Sequence, residues 1–181
     1  MSPDIEIIGD GCAALSLAAR ASELNHNIRL IKPSNAPTTN DHVWGFWSDP
    51  ILAAAQQLAR ATWQKWAIIT HNDCAVLSSE TRPYNAFKRS DWSEHCKGLA
   101  ELSKVTIVAE HEWEKSADSL LFDTRPPVVP NDCMLQHFQG IEVKTKQPCF
   151  DKDMAILMDF RVDQSKGCLL YTSPSPRDRV R

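Results

Sequence analysis

The feature that most constrains the fold of this chain is Asp4-Ile5-Glu6-Ile7-Ile8-Gly9-Asp10-Gly11-Cys12-Ala13-Ala14, an apolar run that breaks into a Gly-x-Gly-x-x-Ala turn. Asp4 to Ile8 has the β-branched content of a short strand, and Cys12 to Leu24 carries Leu15, Ala18, Ala19 and Ser22 at helical spacing. A strand that passes through such a turn into a helix is the phosphate-binding unit of dinucleotide folds. Gly9 permits the tight turn, Gly11 lets the backbone approach a pyrophosphate, and Ala14 lets helix and strand pack closely. The N–H groups at the helix start then face the phosphates. Ordinary strand-turn-helix connections share this pattern, so the motif alone does not fix the ligand.

A chain of 181 residues can bury one real core and is cramped for two. With 43% hydrophobic and 24% charged residues it falls among ordinary globular proteins, which excludes disorder along its whole length. The net charge of −3, without a basic stripe, argues against nucleic acid as a partner. No apolar run reaches bilayer-spanning length, and the N-terminus lacks a basic segment followed by an apolar signal core. The six cysteines, at 12, 74, 96, 133, 149 and 168, form no Cys-x-x-Cys pair and no metal-site spacing. They are expected to be reduced and mostly buried, as in a cytoplasmic protein.

The stretch Cys168-Leu169-Leu170-Tyr171-Thr172-Ser173-Pro174-Ser175-Pro176-Arg177-Asp178 reads as the translation of a transposon-end adapter used in sequencing libraries. The alternative is a native Pro/Ser-rich linker. On the adapter reading, native sequence ends near Gly167, residues 168–181 are an artefactual tail, and they are set aside in fold reasoning. The remainder is then more acidic than the whole, because three Arg and one Asp leave with the tail.

Past the first helix, Asn25-His26-Asn27 is a polar turn and Ile28 to Ile31 a second strand. A dinucleotide fold carries an Asp or Glu at this strand's end for the ribose hydroxyls, and here Lys32 stands in that place, before Pro33. Residues 34–48 read as a long polar and aromatic loop, of a length expected of functional or mobile segments. A helix is predicted from Pro50 to about Ala61 after Ser48-Asp49. Trp66–Thr70 and Cys74–Ser79 are predicted to form a hairpin turning at Asn72-Asp73, with Tyr84 and Phe87 in the connection to the next helix. Ser90 is the expected N-cap of that helix, over Asp91–Leu102. Val105–Ala109 and Leu120–Asp123 read as strands around the charged turn His111–Asp118, and Arg125-Pro126-Pro127 breaks regular structure. Leu135–Lys144 and Ala155–Val162 are expected in a second, mostly antiparallel sheet.

In this order, several landmarks resemble the bacterial lycopene cyclases, flavoproteins related to the wider FAD-dependent oxidoreductases. They are the Gly9–Ala14 turn, Asp41-His42-Val43-Trp44-Gly45-Phe46-Trp47, the Trp63–Trp66 segment, and Leu121-Phe122-Asp123-Thr124-Arg125. Gln136-His137-Phe138-Gln139-Gly140-Ile141-Glu142-Val143 and Met158-Asp159-Phe160-Arg161-Val162-Asp163-Gln164 complete the set and are its most telling pair. The resemblance covers essentially the whole stretch before the tail. It implies an α/β fold: an FAD-binding dinucleotide (Rossmann-like) domain with an inserted, mostly antiparallel β substrate domain, here truncated. The implied boundaries are 1–132 for the discontinuous cofactor domain, with inserted strands over about 63–90, 133–167 for the start of the substrate sheet, and 168–181 for the tail.

The implied reaction is the acid-initiated cyclisation of lycopene ψ-ends to β-ionone rings, with reduced FAD and NADPH needed but no net redox. Protonating an unactivated double bond asks for a carboxylic acid kept neutral by an apolar pocket, and for aromatic faces that stabilise the cation. Carried over to this chain, Gly9, Gly11 and Ala14 would bind the FAD pyrophosphate, and Asp123 with Arg125 matches the segment that returns to the cofactor. Thr124-Arg125-Pro126 departs from the Ala-Arg-Gly ending usual there. Trp44, Phe46 and Trp47 are candidates to line the polyene site, with core packing as the competing role. The catalytic carboxylate is expected beyond residue 167. The expected partners are lycopene and a membrane surface reached from the cytoplasmic side, with neither nucleic acid nor metal.

Other polar groups have plainer readings. Asp41 beside His42 is an acid-base pair or a solvated loop pair, and His111-Glu112-Trp113-Glu114 lacks the second histidine of a zinc-protease helix. Cys12 is small enough for its turn, though a thiol at a helix start can be reactive. Glu142, Asp159 and Asp163 are substitute acids or surface carboxylates. Two rival functions stay open: an FAD-dependent monooxygenase or oxidoreductase with net redox, and a nucleotide-binding module without catalysis.

Overall fold

The computed structural model describes residues 3–35, 41–128, 130 and 143–162. In chain order the elements are β1 (Ile5–Ile8), α1 (Cys12–Ala18), α2 (Ala21–Leu24), β2 (Ile28–Lys32), β3 (Val43–Trp47), a 3-10 turn (Pro50–Leu52) running into α3 (Ala53–Gln57), and β4 (Ala61–Trp63). Then come β5 (Lys65–Ile69), β6 (Cys74–Ser78), β7 (Tyr84–Lys88), α4 (Arg89–Leu102), β8 (Thr106–Ala109), a 3-10 turn (Glu110–Glu112), β9 (Leu120–Asp123) and β10 (Met154–Asp159). They divide into one unit of Met1–Asp41 with Arg89–Gln136 and a second of His42–Lys88 with His137–Arg181.

The first unit is built on a four-stranded sheet in the order β8-β2-β1-β9, every pair parallel. All four residues of β1 are buried, as expected of a central parallel strand covered on both faces. Ile5 and Ile7 face the core that Leu15, Ala18, Cys96 and Ala100 bring in from α1 and α4. Glu6 alternates to the other face, and its fully buried carboxylate is met by donors rather than by apolar groups. The Ser119 hydroxyl donates to it at 2.6 Å, Trp113 Nε1 at 2.9 Å, the Ser116 N–H at 3.1 Å and Arg29 Nη1 at 3.2 Å. Burial alone would raise the Glu6 carboxyl; the hydrogen bonds from Ser119, Trp113 and Ser116, with Arg29 beside it, outweigh that and hold it below its ordinary value.

Two local expectations in this unit are corrected. The helix expected over Cys12–Leu24 is interrupted: the Arg20 N–H bonds to Leu17 O, a tightened 3-10 type turn, and α2 restarts at Ala21. It ends at Asn25 in the left-handed conformation (φ 52°), which suits a short polar side chain. Helix α4 begins at Arg89, not at Asp91, and Ser90 is not its cap. Asp41 takes that part, accepting 2.9 Å hydrogen bonds from both the N–H and the hydroxyl of Ser90.

The second unit holds two three-stranded sheets. In one, β7 pairs antiparallel with β3 and β4, so the aromatic segment expected as loop is an ordered strand, and Tyr84 and Phe87 lie in its central partner. Gly45 is what allows it: a Cβ there would overlap the Tyr84 hydroxyl, whose ring lies across the strand. Asn85, fully buried, ties the sheet together by accepting from Thr62 Oγ1 and donating to Ser48 Oγ, both at 2.8 Å. The helix expected over Pro50–Ala61 does start at Pro50, with Asp49 accepting from the Ile51 N–H. It stops at Gln57 because β7 captures the residues just beyond: the Arg60 N–H donates to Ala86 O, and Ala61 pairs with Ala86.

The other sheet has the order β10-β5-β6. The β5–β6 hairpin forms as expected, its turn closed by the Thr70 N–H on Asp73 O and the Asp73 N–H on Thr70 Oγ1. Strand β10 joins parallel to β5, with a bulge between Ile156 and Met158, so this sheet is mixed. The strand expected over Leu135–Lys144 lies almost wholly outside the described residues, as do Gln136–Glu142 and Asp163. The cysteines also differ from expectation. Of the four in the described residues, Cys12, Cys74 and Cys149 are exposed and only Cys96 is buried; Cys74 sits on β6, whose five residues are all exposed.

Candidate functional site

The residues singled out for nucleotide binding gather at the carboxyl edge of the parallel sheet. Gly9 leaves β1 with φ +141°, a conformation that L side chains rarely adopt, and a Cβ there would overlap Thr124 Oγ1. Its N–H donates to Ile31 O at 3.0 Å, while Thr124 closes the other side through its N–H and hydroxyl on Ile8 O, at 2.9 and 2.8 Å. Ala14 is fully buried, its Cβ 3.2 Å from where a Gly9 Cβ would stand, so the third small residue is set by helix-strand packing. Gly11 is different. Its φ of −85° is ordinary, and nothing lies within 4 Å of where its Cβ would be. It therefore has open space in front of it, and α1 starts behind it without a side-chain cap.

Asp123 and Arg125 are brought together at the end of β9, the neighbour of β1 on the side away from β2. Arg125 donates to both Asp123 oxygens, Nη2 to Oδ2 at 2.6 Å and Nε to Oδ1 at 2.9 Å. The Arg125 hydrogen bonds hold the Asp123 carboxyl below its usual range and push the guanidinium up in turn. Glu110, which the sequence did not single out, completes the edge. It comes directly after β8, its Oε1 accepts from Arg125 Nη1 at 2.7 Å, and its Oε2 accepts from the Ser34 N–H at 2.9 Å. The only signal for it in the sequence is an acidic residue directly after the Val105–Ala109 strand, and parallel pairing with β2 is what gives that position meaning.

The aromatic candidates belong to the second unit and do not share one face. Trp44 and Phe46 both pack edge-on against Phe87, at 5.8 and 5.3 Å between centroids. Trp47 points the other way, against Tyr84 at 5.0 Å and Trp66 at 6.1 Å. His42 Nε2 accepts from the Trp44 indole at 2.7 Å. Asp159 closes β10 in an ion pair with Arg161, and those hydrogen bonds hold its carboxyl at about 2. It is ionised at neutral pH, so it cannot serve as the protonated acid. Among the described residues no group of three His, Cys, Asp or Glu side chains is placed to hold a metal, and no helix is long and apolar enough to cross a membrane.

A parallel sheet whose first strand turns through two glycines into a helix packed on a buried alanine defines an α/β fold of the Rossmann-like class. The match with known families is more specific. The chain belongs to the lycopene cyclase protein family, whose model matches residues 4–180 and so runs on through the segment read as an adapter. No curated protein matches the chain in sequence.

Among solved structures, it is similar to a tetrameric form of 2-methyl-3-hydroxypyridine-5-carboxylic acid oxygenase, at 18% identity and a TM-score of 0.47, over 58% of this chain and 30% of that one. It is also similar to a geranylgeranyl bacteriochlorophyll reductase-like protein of Thermoplasma acidophilum, at 16% identity and 0.44, over 59% and 30%. A third is the peptidyl tryptophan dihydroxylase QhpG, at 13% and 0.46, over 74% and 35%. The chain thus spans 30% to 35% of the length of these structures.

Proposed function

We propose that this chain is the FAD-binding part of a lycopene β-cyclase, which closes the ψ-ends of lycopene into β-ionone rings without net redox. The observation that carries the reading is the Gly9-x-Gly11-x-x-Ala14 turn, with open space at Gly11, at the carboxyl edge of a parallel sheet in a lycopene cyclase family member. Reduced FAD, kept reduced by NADPH, would supply negative charge and a proton-transfer partner beside the developing cation. Gly9 makes the tight turn, Gly11 lets the backbone at the start of α1 approach the pyrophosphate, Ala14 lets α1 sit close enough for that, and Asp123 with Arg125 borders the same edge. Trp44 and Phe46 offer one aromatic face to the polyene and Trp47 another. Asp159, ionised beside Arg161, does not supply the acid that starts the reaction. Substrate length implies action at a membrane surface from the cytoplasmic side.

The test has two arms. Purified chain is titrated with FAD and followed by flavin fluorescence, and the complete reading frame is expressed in lycopene-accumulating cells whose pigments are then separated. Cyclised carotenoid is expected. Persistent lycopene beside soluble, flavin-loaded protein rejects the cyclase reading, NADPH oxidation coupled to oxygen uptake points to a monooxygenase, and absence of flavin binding points to a non-catalytic module.

A further inference from the structure

The end of β2 carries Lys32 where a dinucleotide fold places its ribose-binding acid, and the neighbouring strand supplies a carboxylate beside it. Strand β8 pairs parallel with β2 so that Ala109 stands opposite Lys32, and Glu110 is the next residue. Its Oε2 accepts from the N–H of Ser34, two residues past Lys32. The carboxylate is therefore seated on the loop that leaves β2. Its Oε1 accepts from Arg125, just past the end of β9. In the order β8-β2-β1-β9 those two strands are the outer ones, roughly 14 Å apart at the usual strand spacing, so the pair reaches across the carboxyl ends of β2 and β1. It passes over the edge where the glycine turn emerges.

We propose that Glu110, contributed from β8, is the acidic group that accepts the adenosine ribose hydroxyls of the dinucleotide, in place of the residue that Lys32 displaces. The inference rests on the FAD reading above. Glu110 is suited to the task because a carboxylate accepts about four hydrogen bonds, whereas Ser34 and Arg125 use one on each oxygen. Its side chain is 30% exposed, so it is accessible from solvent while both donors are in place. These two donors also fix the carboxylate in one position, which reduces the ordering cost of binding.

The experiment measures competition with FAD, by flavin fluorescence, of ADP and of 2′,3′-dideoxyadenosine diphosphate for the purified chain and its Glu110→Gln variant. Loss of the hydroxyls is expected to weaken binding to the unaltered chain on the order of tenfold, as for hydrogen bonds to a charged group. In Glu110→Gln the two ligands should bind within about threefold of each other. An equal loss in both proteins, or no discrimination by the unaltered chain, overturns the assignment while leaving FAD binding intact. Should the chain bind neither FAD nor ADP, the FAD reading falls with it. If Glu110→Gln does not fold, Glu110→Asp, which withdraws the carboxylate by one methylene, must show reduced discrimination for the assignment to stand.

Discussion

The carboxylate of Glu6, in the middle of β1, accepts a 2.6 Å hydrogen bond from the hydroxyl of Ser119, 113 residues further along the chain. A charged group stands at the centre of the parallel sheet because the segment between β8 and β9 folds back and supplies three of its four donors.

This arrangement gives the chain an acid-sensitive fold. A carboxyl held below its unfolded value contributes stability that is fully present above the unfolded pKa and is lost as pH falls through the folded one. Thermal unfolding midpoints are expected to drop between roughly pH 5 and pH 3, as carboxylates of this kind protonate. Glu6→Gln should lower stability at neutral pH by about 2 kcal/mol, since it unpairs Arg29 and weakens two further bonds, and should flatten that drop. A variant whose pH profile overlays the unaltered chain rejects this role.

The two glycines of the turn should separate cleanly. Gly9→Ala forces a side chain into a φ of +141° and onto Thr124, and is expected to cost about 2 kcal/mol in chemical denaturation. Gly11→Ala meets open space and should leave stability within about 0.5 kcal/mol while abolishing FAD binding. Retained flavin affinity in Gly11→Ala would show that no ligand backbone approach occurs there.

Lys104 ends α4 in the left-handed conformation, φ 57°, with the Val105 N–H closing on Ala100 O. Glycine is the residue that such an ending favours. Lys104→Gly should stabilise the chain by about 0.5–1 kcal/mol, read as a raised denaturation midpoint, and unchanged stability would count against this conformation.

Asn85 donates to Ser48 and Pro83 and accepts from Thr62 within the β3-β7-β4 sheet. Asn85→Ala takes this partner from the hydroxyl of buried Ser48 and opens a void at a fully buried position, and should cost about 2 kcal/mol. Its signature is faster amide exchange across β3 and β4 together; exchange confined to one strand would contradict the shared role.

Thiol labelling provides an independent check on the first unit. Cys96 is buried and its thiol pushed up to about 11, by that burial and by the Cys12 thiol nearby, so it should stay unmodified by iodoacetamide at pH 8. Cys12, Cys74 and Cys149 should react, as read by peptide mass mapping. Modification of Cys96 alongside them would indicate that α4 does not stay packed on the sheet.

Much of this site was legible in the sequence because its signals are local. The β-branched run before Gly9 is a strand signal, and Gly9 and Ala14 are chosen by a turn that no bulkier residue fits, while Gly11 follows from the spacing of the motif. Asp123 and Arg125 came from the family resemblance, and their pairing is local, since they lie two residues apart. The Val43–Trp47 segment misled because its strand character resides in β7, and the ladder between them joins residues some 40 positions apart. The helix after Pro50 was overrun for a similar reason, since β7 gains more by pairing Ala61 than α3 would by another turn.

Residue order by itself determined the class of fold, the family, the place of the glycine turn and the absence of an acid at Lys32. The turn and the strand end depend on sterics and periodicity within about a dozen neighbouring positions, and the family on the order of landmarks along the chain. Tertiary structure alone decided that Glu110 lies at the end of β2, that Asp41 caps α4, and that Trp47 turns away from Trp44. Each depends on which strands pair and in what register, and pairing energy comes from contacts between residues that the sequence leaves far apart.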